Sequence, residues 1–172
     1  RPISSAASDV YKRQGFNEII NNSICSPTTN EKFNENSVEL LNPQGIELSN
    51  LRKSLIPNSL ETINHNINRQ NKNLKLFEIG NVYSTIDNEF HETRKMLISV
   101  TGSVFDENWM TKYQENNFFY LKGVVKKIFT ILNIENIKYE VSDDKLYDYK
   151  LNILKGKLKI GSIGEILSLI HI

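Results

Sequence analysis

The stretch LKLFEIGNVYS, Leu74–Ser84, constrains the fold more than any other part of the chain. It packs large aliphatic and aromatic residues into one run and reads as a mostly buried strand. Gly80 interrupts it and marks a bulge or a close approach of another group. A second apolar run, MLISVTGS (Met96–Ser103), reads as another buried strand. Two helical patterns accompany them. Pro57 suits a first helical turn, where its missing N–H costs nothing. Leu60, Ile63 and Ile67 then form one apolar stripe, with Asn58, Asn66 and Asn68 opposite. The clearest helix is Phe118–Asn133, with Phe118, Leu121, Val125, Ile128 and Leu132 on one face and Lys122, Lys126 and Lys127 off it.

The remaining segments are shorter. Gly15–Ser26 reads as a helical turn running into a strand that Ser26-Pro27 ends. Thr28–Ser37 reads as a polar loop, and Val38–Leu41 as a short strand stopped by Asn42-Pro43. Ile137–Ser142 and Lys150–Lys155 read as strands, and Gly156-Lys157 turns the second into Leu158–Ile166. The order is strands, helix, strands, helix, hairpin. That order implies an α+β domain with a mainly antiparallel sheet.

Bulk properties exclude more than they select. The 172 residues suffice for one domain or slightly more. The net charge of +1 gives no global case for nucleic acid, membrane or acidic partners, so any such contact must come from a local patch. Cys25 is the sole cysteine, which excludes an internal disulfide and makes a reducing, cytoplasmic compartment the expectation. It reads as a small buried hydrophobe. No apolar run approaches the ~18–20 residues of a membrane span. The two ends look foreign: Arg1–Gln14 and Leu167–Ile172 resemble translated adapter read-through, which leaves residues 15–166 as the informative module.

The search for chemistry returns no constellation. His91-Glu92 opens HETRK, but Lys95 stands where a zinc-binding HExxH helix has its second histidine. His65 is alone on its helix, so no three-ligand metal set forms. Ser54 lacks a nucleophile elbow and reads as a cap near Pro57. Gly161-Ser162-Ile163-Gly164 is too short and strand-like for a phosphate loop. Asp143-Asp144 reads as a solvated turn rather than a cation site. Trp109 reads as a packing residue rather than a base-stacking one.

Several blocks together resemble one family. GFNEIINNSICSP (Gly15–Pro27) resembles an opening GF-x-E pattern followed by a strand and a Ser-Pro turn. Leu40–Tyr83 resembles a long signature: NP, E-x-S-x-LR-x-SL-x-P, N-x-N-R, then LFEIG-x-V-aromatic. FFYLKGVVKKIF (Phe118–Phe129) resembles a later FF-x-LKG helix, and KIGSIGEI (Lys159–Ile166) a closing IG-x-IGE strand. The family is the beta subunit of bacterial phenylalanyl-tRNA synthetase, and the matching part is its catalytic-like module.

The resemblance implies a class II aminoacyl-tRNA synthetase-like antiparallel sheet flanked by helices, truncated at both ends. It implies a catalytically silent module that supports charging of tRNA(Phe) by an alpha subunit in an (αβ)2 assembly. ATP and Mg2+ are implied for the whole enzyme, and none is expected on this chain. Structural or interface roles fall on Arg52, Pro57, Asn68, Arg69, Glu78 and Gly80; no catalytic, cofactor-binding or metal residue is expected.

Silence agrees with the residues. Class II activation needs a positive clamp on the α-phosphate in the transition state. The strands Leu74–Ser84 and Met96–Ser103 hold no arginine, Arg94 precedes the second, and Glu78 stands without a strand arginine beside it. Departures from the family pattern are ILSLIHI after IGE, where a histidine-proline pair is usual, and Tyr120, where many members carry aspartate. Two alternatives remain open: a class II-like domain that itself binds ATP or an amino acid, and a stand-alone RNA-binding module. Arg52 is expected to anchor the entry to its helix through a carboxylate or carbonyl, using its forked donors.

Overall fold

The computed structural model describes residues 15–28, 38–87, 89–104 and 117–167, and the chain divides into two compact units, Arg1–Ser99 and Val100–Ile172. The expectations for Arg1–Gln14, Trp109 and most of the Thr28–Ser37 loop lie outside the described residues. So does the C-terminal stretch, apart from Leu167.

In chain order the first unit holds β1 (Asn17–Glu18), β2 (Ile24–Cys25), β3 (Val38–Glu39), a 3-10 turn (Ile46–Leu48), β4 (Asn50–Leu51), α1 (Ile56–Ile67), β5 (Leu74–Ile86) and most of β6 (Glu89–Thr101). One sheet has the order β1-β5-β6 and a smaller one β2-β4-β3. In the small sheet β4 pairs antiparallel with both neighbours. β1 pairs parallel with β5, with Asn17 opposite Leu76 and Glu18 opposite Phe77. The FNEII segment is therefore strand where the sequence predicts a helical turn. A two-residue strand is too short to show a period, so its pairing with β5 decides its conformation.

β5 is the buried centre of this unit: Leu74, Leu76, Phe77 and Val82 are all buried, with Phe16 and Leu55 beside them. β6 corrects two expectations. It begins at Glu89 rather than Met96, so Arg94 lies within the strand, and its exposure falls only to intermediate beyond Met96. The cause is the β5–β6 turn. Asp87 adopts a left-handed φ of 51°, and the chain pairs back from there whatever the polarity of HETRK. The ladder is set by the turn, and hydropathy reports only the part that is covered.

α1 also differs from its predicted stripe. Its buried residues are Pro57, Asn58 and Ser59, while Leu60, Ile63 and Ile67 are half-buried. The first turn packs inward because its polar groups find partners there. The Asn58 amide donates to the Asn22 carbonyl (2.8 Å), and the Ser59 and Ser99 hydroxyls lie 2.9 Å apart. The Ser54 hydroxyl accepts from the Ile56 N–H at 3.2 Å, just outside the helix start.

The second unit contains α2 (Phe118–Ile131), β7 (Ile137–Val141), β8 (Tyr147–Lys155) and β9 (Leu158–Ile166). Asn117 caps α2 by accepting from the Tyr120 N–H at 3.0 Å. The three strands form an antiparallel meander. Leu151, Ile153 and Ile163 make its buried core, covered by Phe118, Leu121, Val125 and Phe129 of α2. The helix period of Phe118–Asn133 thus meets the strand alternation of Lys150–Ile166 on one face. At about 25 cal/mol per Å2 of apolar area, this layer is the main source of the unit's stability. Among the described residues no helix is long and apolar enough to cross a membrane.

Both helices end in the same geometry. After α1 the Gln70 N–H donates to the Ile67 carbonyl and the Asn71 N–H to that of Asn66; after α2 Asn133 and Ile134 repeat it onto Thr130 and Phe129. The left-handed residue is Asn133 (φ 53°) in one case and Gln70 (φ 67°) in the other. Asparagine tolerates this conformation; glutamine carries the steric cost of its Cβ. Gln70→Gly is expected to stabilise the fold by about 0.5–1 kcal/mol net of the extra unfolded-state entropy of glycine. Thermal denaturation should register that as a Tm rise of about 2–4 °C; a lower Tm would refute this account of the helix end.

Candidate functional site

Three segments deliver polar groups to one buried point in the first unit. Arg52 follows β4 directly, Glu78 and Gly80 lie in the middle of β5, and Asn21 and Asn22 follow β1. Backbone bonds fix the approach. The Arg52 N–H donates to the Ser23 carbonyl and the Tyr83 N–H to that of Arg52, both at 2.9 Å. The Arg52 side chain must therefore enter beside β5.

There its guanidinium meets the Glu78 carboxylate at 2.6 Å, and the two side chains are only 4% and 2% exposed. Arg52 Nε donates to the Asn81 carbonyl at 3.0 Å. Its Nη1 also reaches the carbonyls of Asn21 (3.3 Å) and Asn22 (3.5 Å). Glu78 receives further donors from Asn21, whose side-chain amide lies 2.8 Å from Oε2 and whose N–H lies 3.3 Å from Oε1. The Thr62 hydroxyl of α1 donates to Asn21 Oδ1 at 3.0 Å. The network thus joins β4, β5, α1 and the segment after β1.

Gly80 makes the room. A Cβ at this position would lie 2.2 Å from Arg52 Nη2 and 3.2 Å from a Leu55 methyl. No side chain fits without displacing the buried guanidinium, so the glycine in FEIG is a space requirement rather than a bulge.

Of the six residues singled out from sequence, Arg52, Glu78 and Gly80 converge here. Pro57 is buried in the first turn of α1, one residue before Asn58. Asn68 and Arg69 stand apart, exposed at the far end of α1. The Asn68 N–H donates to the Asn64 carbonyl and the Arg69 guanidinium to that of His65 (3.3 Å), so both finish the helix. Glu78 does have an arginine beside it, though not one from a strand: Arg52 finds the carboxylate and carbonyls it was expected to anchor to. It comes from the end of β4, 26 positions earlier, where strand spacing carries no trace of it. Sequence reasoning also missed Asn21, Asn22, Asn58 and Thr62. Asparagine is common throughout the chain, and nothing local separates these four from the solvated ones.

Chemically this is a closed site. Arg52 Nε and Nη1 donate to a carboxylate and main-chain oxygens, and the charge is neutralised internally. Such a group fixes chain geometry. Among the described residues no three His, Cys, Asp or Glu side chains group as metal ligands, and His65 and His91 are both exposed. Cys25 is buried.

A second polar cluster lies in the second unit. Asp144 pairs with Lys150 and accepts from the Leu146 N–H at 3.1 Å. The Lys150 ammonium also stands 4.6 Å from the centre of the Tyr147 ring. The Tyr147 ring crosses Gly164 closely: a Cβ there would sit 2.6 Å from a ring carbon and 2.7 Å from the Tyr149 carbonyl. This explains the second glycine of IGSIGE. The Lys150 hydrogen bond and the Leu146 N–H hold the Asp144 carboxyl below its ordinary value.

Two outcomes follow from these geometries. Removing one partner of the Arg52–Glu78 pair, as in Arg52→Ala or Glu78→Ala, is expected to cost about 3–5 kcal/mol because the other charge is left buried. The double variant should cost less than the sum, and additive losses in urea titrations would argue against a coupled pair. Asp144 has the depressed folded-state pKa, so its contribution is present above the unfolded carboxylate pKa and is lost as pH falls through the folded one. Asp144→Asn should therefore narrow its stability deficit as pH drops below the ordinary carboxylate range; a deficit independent of pH would reject this linkage.

A family model described as "Phenylalanyl tRNA synthetase beta chain CLM domain" matches residues 3–170 of the chain. The chain is 30% identical over 167 residues to a phenylalanine–tRNA ligase beta subunit of Carboxydothermus hydrogenoformans, covering 91% of this chain and 21% of that relative. It is 32% identical over 162 residues to the corresponding subunit of Streptococcus pneumoniae, covering 88% and 20%. The chain thus spans about a fifth of the length of the curated relatives it matches. Among solved structures, a pyrrolysyl-tRNA synthetase from Desulfitobacterium hafniense superposes with a TM-score of 0.67 at 17% identity, over 91% of this chain and 55% of that one. At that identity the likeness is one of fold alone, and it agrees with the α+β order of elements.

Proposed function

Because the chain belongs to the phenylalanyl-tRNA synthetase beta chain CLM domain family, we propose that it is a non-catalytic structural and subunit-interface module of phenylalanine–tRNA ligase. In this reading an alpha subunit activates phenylalanine with ATP and Mg2+ and transfers it to tRNA(Phe). The present module gives that subunit a rigid surface in an (αβ)2 assembly.

The observation that carries the reading is the state of Arg52. Phosphate activation needs an arginine whose donors point into an open site and sharpen their contacts as charge develops. β5 holds no arginine, and the arginine nearest its centre is buried and bound to Glu78 and three carbonyls. Arg94 lies on the exposed part of β6. A scaffold uses a buried ion pair well, because displacing either partner costs more than a surface contact does. The reading in which this module binds ATP itself has no comparable support.

The test is reconstitution. A full-length beta chain carrying this module is expected to co-purify with its alpha subunit, and Arg52→Ala should lower its melting temperature or its yield of complex. In complex that does form, the chemical step should stay within about twofold of wild type. ATP–pyrophosphate exchange by the 172-residue chain alone would overturn the proposal.

A further inference from the structure

In the second unit, a groove of about 330 Å3 opens between the C-terminal half of α2 and the start of β7. Phe129 and Ile137 line it together with Lys122, Lys126, Asn136 and Tyr139. No carboxylate lines it. The carboxylates adjacent in sequence to its lining, Glu135 and Glu140, are both exposed.

The two lysines are one helical turn apart on α2. Like charges at that spacing repel and weaken a helix by a few tenths of a kcal/mol. Lys122 is half-buried with its ammonium 4.7 Å from the centre of the Tyr139 ring, which holds the charge against the groove wall. Asn136 is fixed by a left-handed φ of 58°. The Tyr139 hydroxyl is a proton donor at neutral pH, as any tyrosine is, and burial raises its pKa further. The groove therefore concentrates two cations and two neutral hydrogen-bonding groups with no internal anion to balance them. A bound anion would relieve the repulsion that the sequence builds in.

We propose that this groove holds the phosphodiester backbone of an RNA strand, with Lys122 and Lys126 on phosphate oxygens and Asn136 and Tyr139 as neutral partners. The inference rests on the reading that the chain serves a tRNA ligase. Its occupant follows from charge complementarity. Side chains four apart on a helix stand about 5–6 Å apart at Cβ, a separation that suits successive phosphates along one strand. The net charge of +1 agrees with a local contact rather than a general affinity for nucleic acid.

The test uses the 172-residue chain and a fluorescent tRNA(Phe) transcript, with anisotropy followed across a salt series. Wild type should bind with strong salt dependence. Lys122→Gln with Lys126→Gln should raise Kd by at least about fivefold at low salt and reduce the slope of log K against log salt by about 1.5, two contacts' worth of counterion release. Lys157→Gln with Lys159→Gln removes the same charge from exposed positions of the β8–β9 hairpin and should leave Kd and slope near wild type. Circular dichroism checks the helix; if the double variant loses α2, the exposed Lys126→Gln alone carries the test, with about half the change in slope. Equal losses from both lysine pairs, no binding by wild type, or tighter binding of poly-glutamate than of RNA would each overturn the proposal. Alpha-subunit co-purification is read separately, so a negative result here leaves the scaffold reading standing.

Discussion

The buried contact between Arg52 and Glu78 is the constraint from which the first unit is built. An arginine with 4% of its side chain exposed has lost nearly all its hydration, and that loss is offset only if every strong donor finds an acceptor. The acceptors come from β5 and from the segment after β1, and Thr62 of α1 reaches them through Asn21. The chain entry to α1, the packing of its first turn and the position of β1 against β5 are thereby fixed at one point. The glycine at position 80 belongs to the same constraint, since the guanidinium occupies the volume its side chain would need.

The same logic underlies the proposal that this site is structural rather than phosphate-binding. An arginine serving chemistry keeps donors in reserve for charge that develops later. Arg52 has committed Nε and Nη1 to partners within the fold. The result is geometric: an ion pair that ties the end of β4, β5 and the segment after β1 together. That character fits a module within a much longer polypeptide, of which the curated relatives are about five times the matched length.

The second unit rests on a different principle. Its helix and meander are joined by an apolar layer, and among the described residues no buried ion pair crosses it. Asp144 and Lys150 tie the β7–β8 turn to β8, while Lys122 and Lys126 face the groove beside Tyr139. Two glycines in the chain thus have the same cause in different settings. Gly80 yields to a charged side chain, and Gly164 to a tyrosine ring.

Sequence by itself determined the elements with a clear period and an unambiguous stop. The amphipathic pattern of Phe118–Asn133, the turn at Gly156-Lys157 and the proline at the start of α1 each encode local structure through short-range sterics and hydropathy, and the family blocks named the fold around them. Tertiary structure alone decided the rest. It made Asn17–Glu18 a strand, carried β6 through HETRK, and turned the polar Asn58 and Ser59 inward, because pairing and hydrogen-bond satisfaction outweighed local preference. It brought Arg52 to Glu78 across 26 positions, which no spacing rule reports. The NLRKSLIPNSLETINHNINRQN segment shows the division plainly: its helix is legible in the order of its residues, but only the folded chain distinguishes Arg52, locked in the interior, from Arg69, exposed at the helix end, because burial is a property of what surrounds a residue and not of its neighbours in sequence.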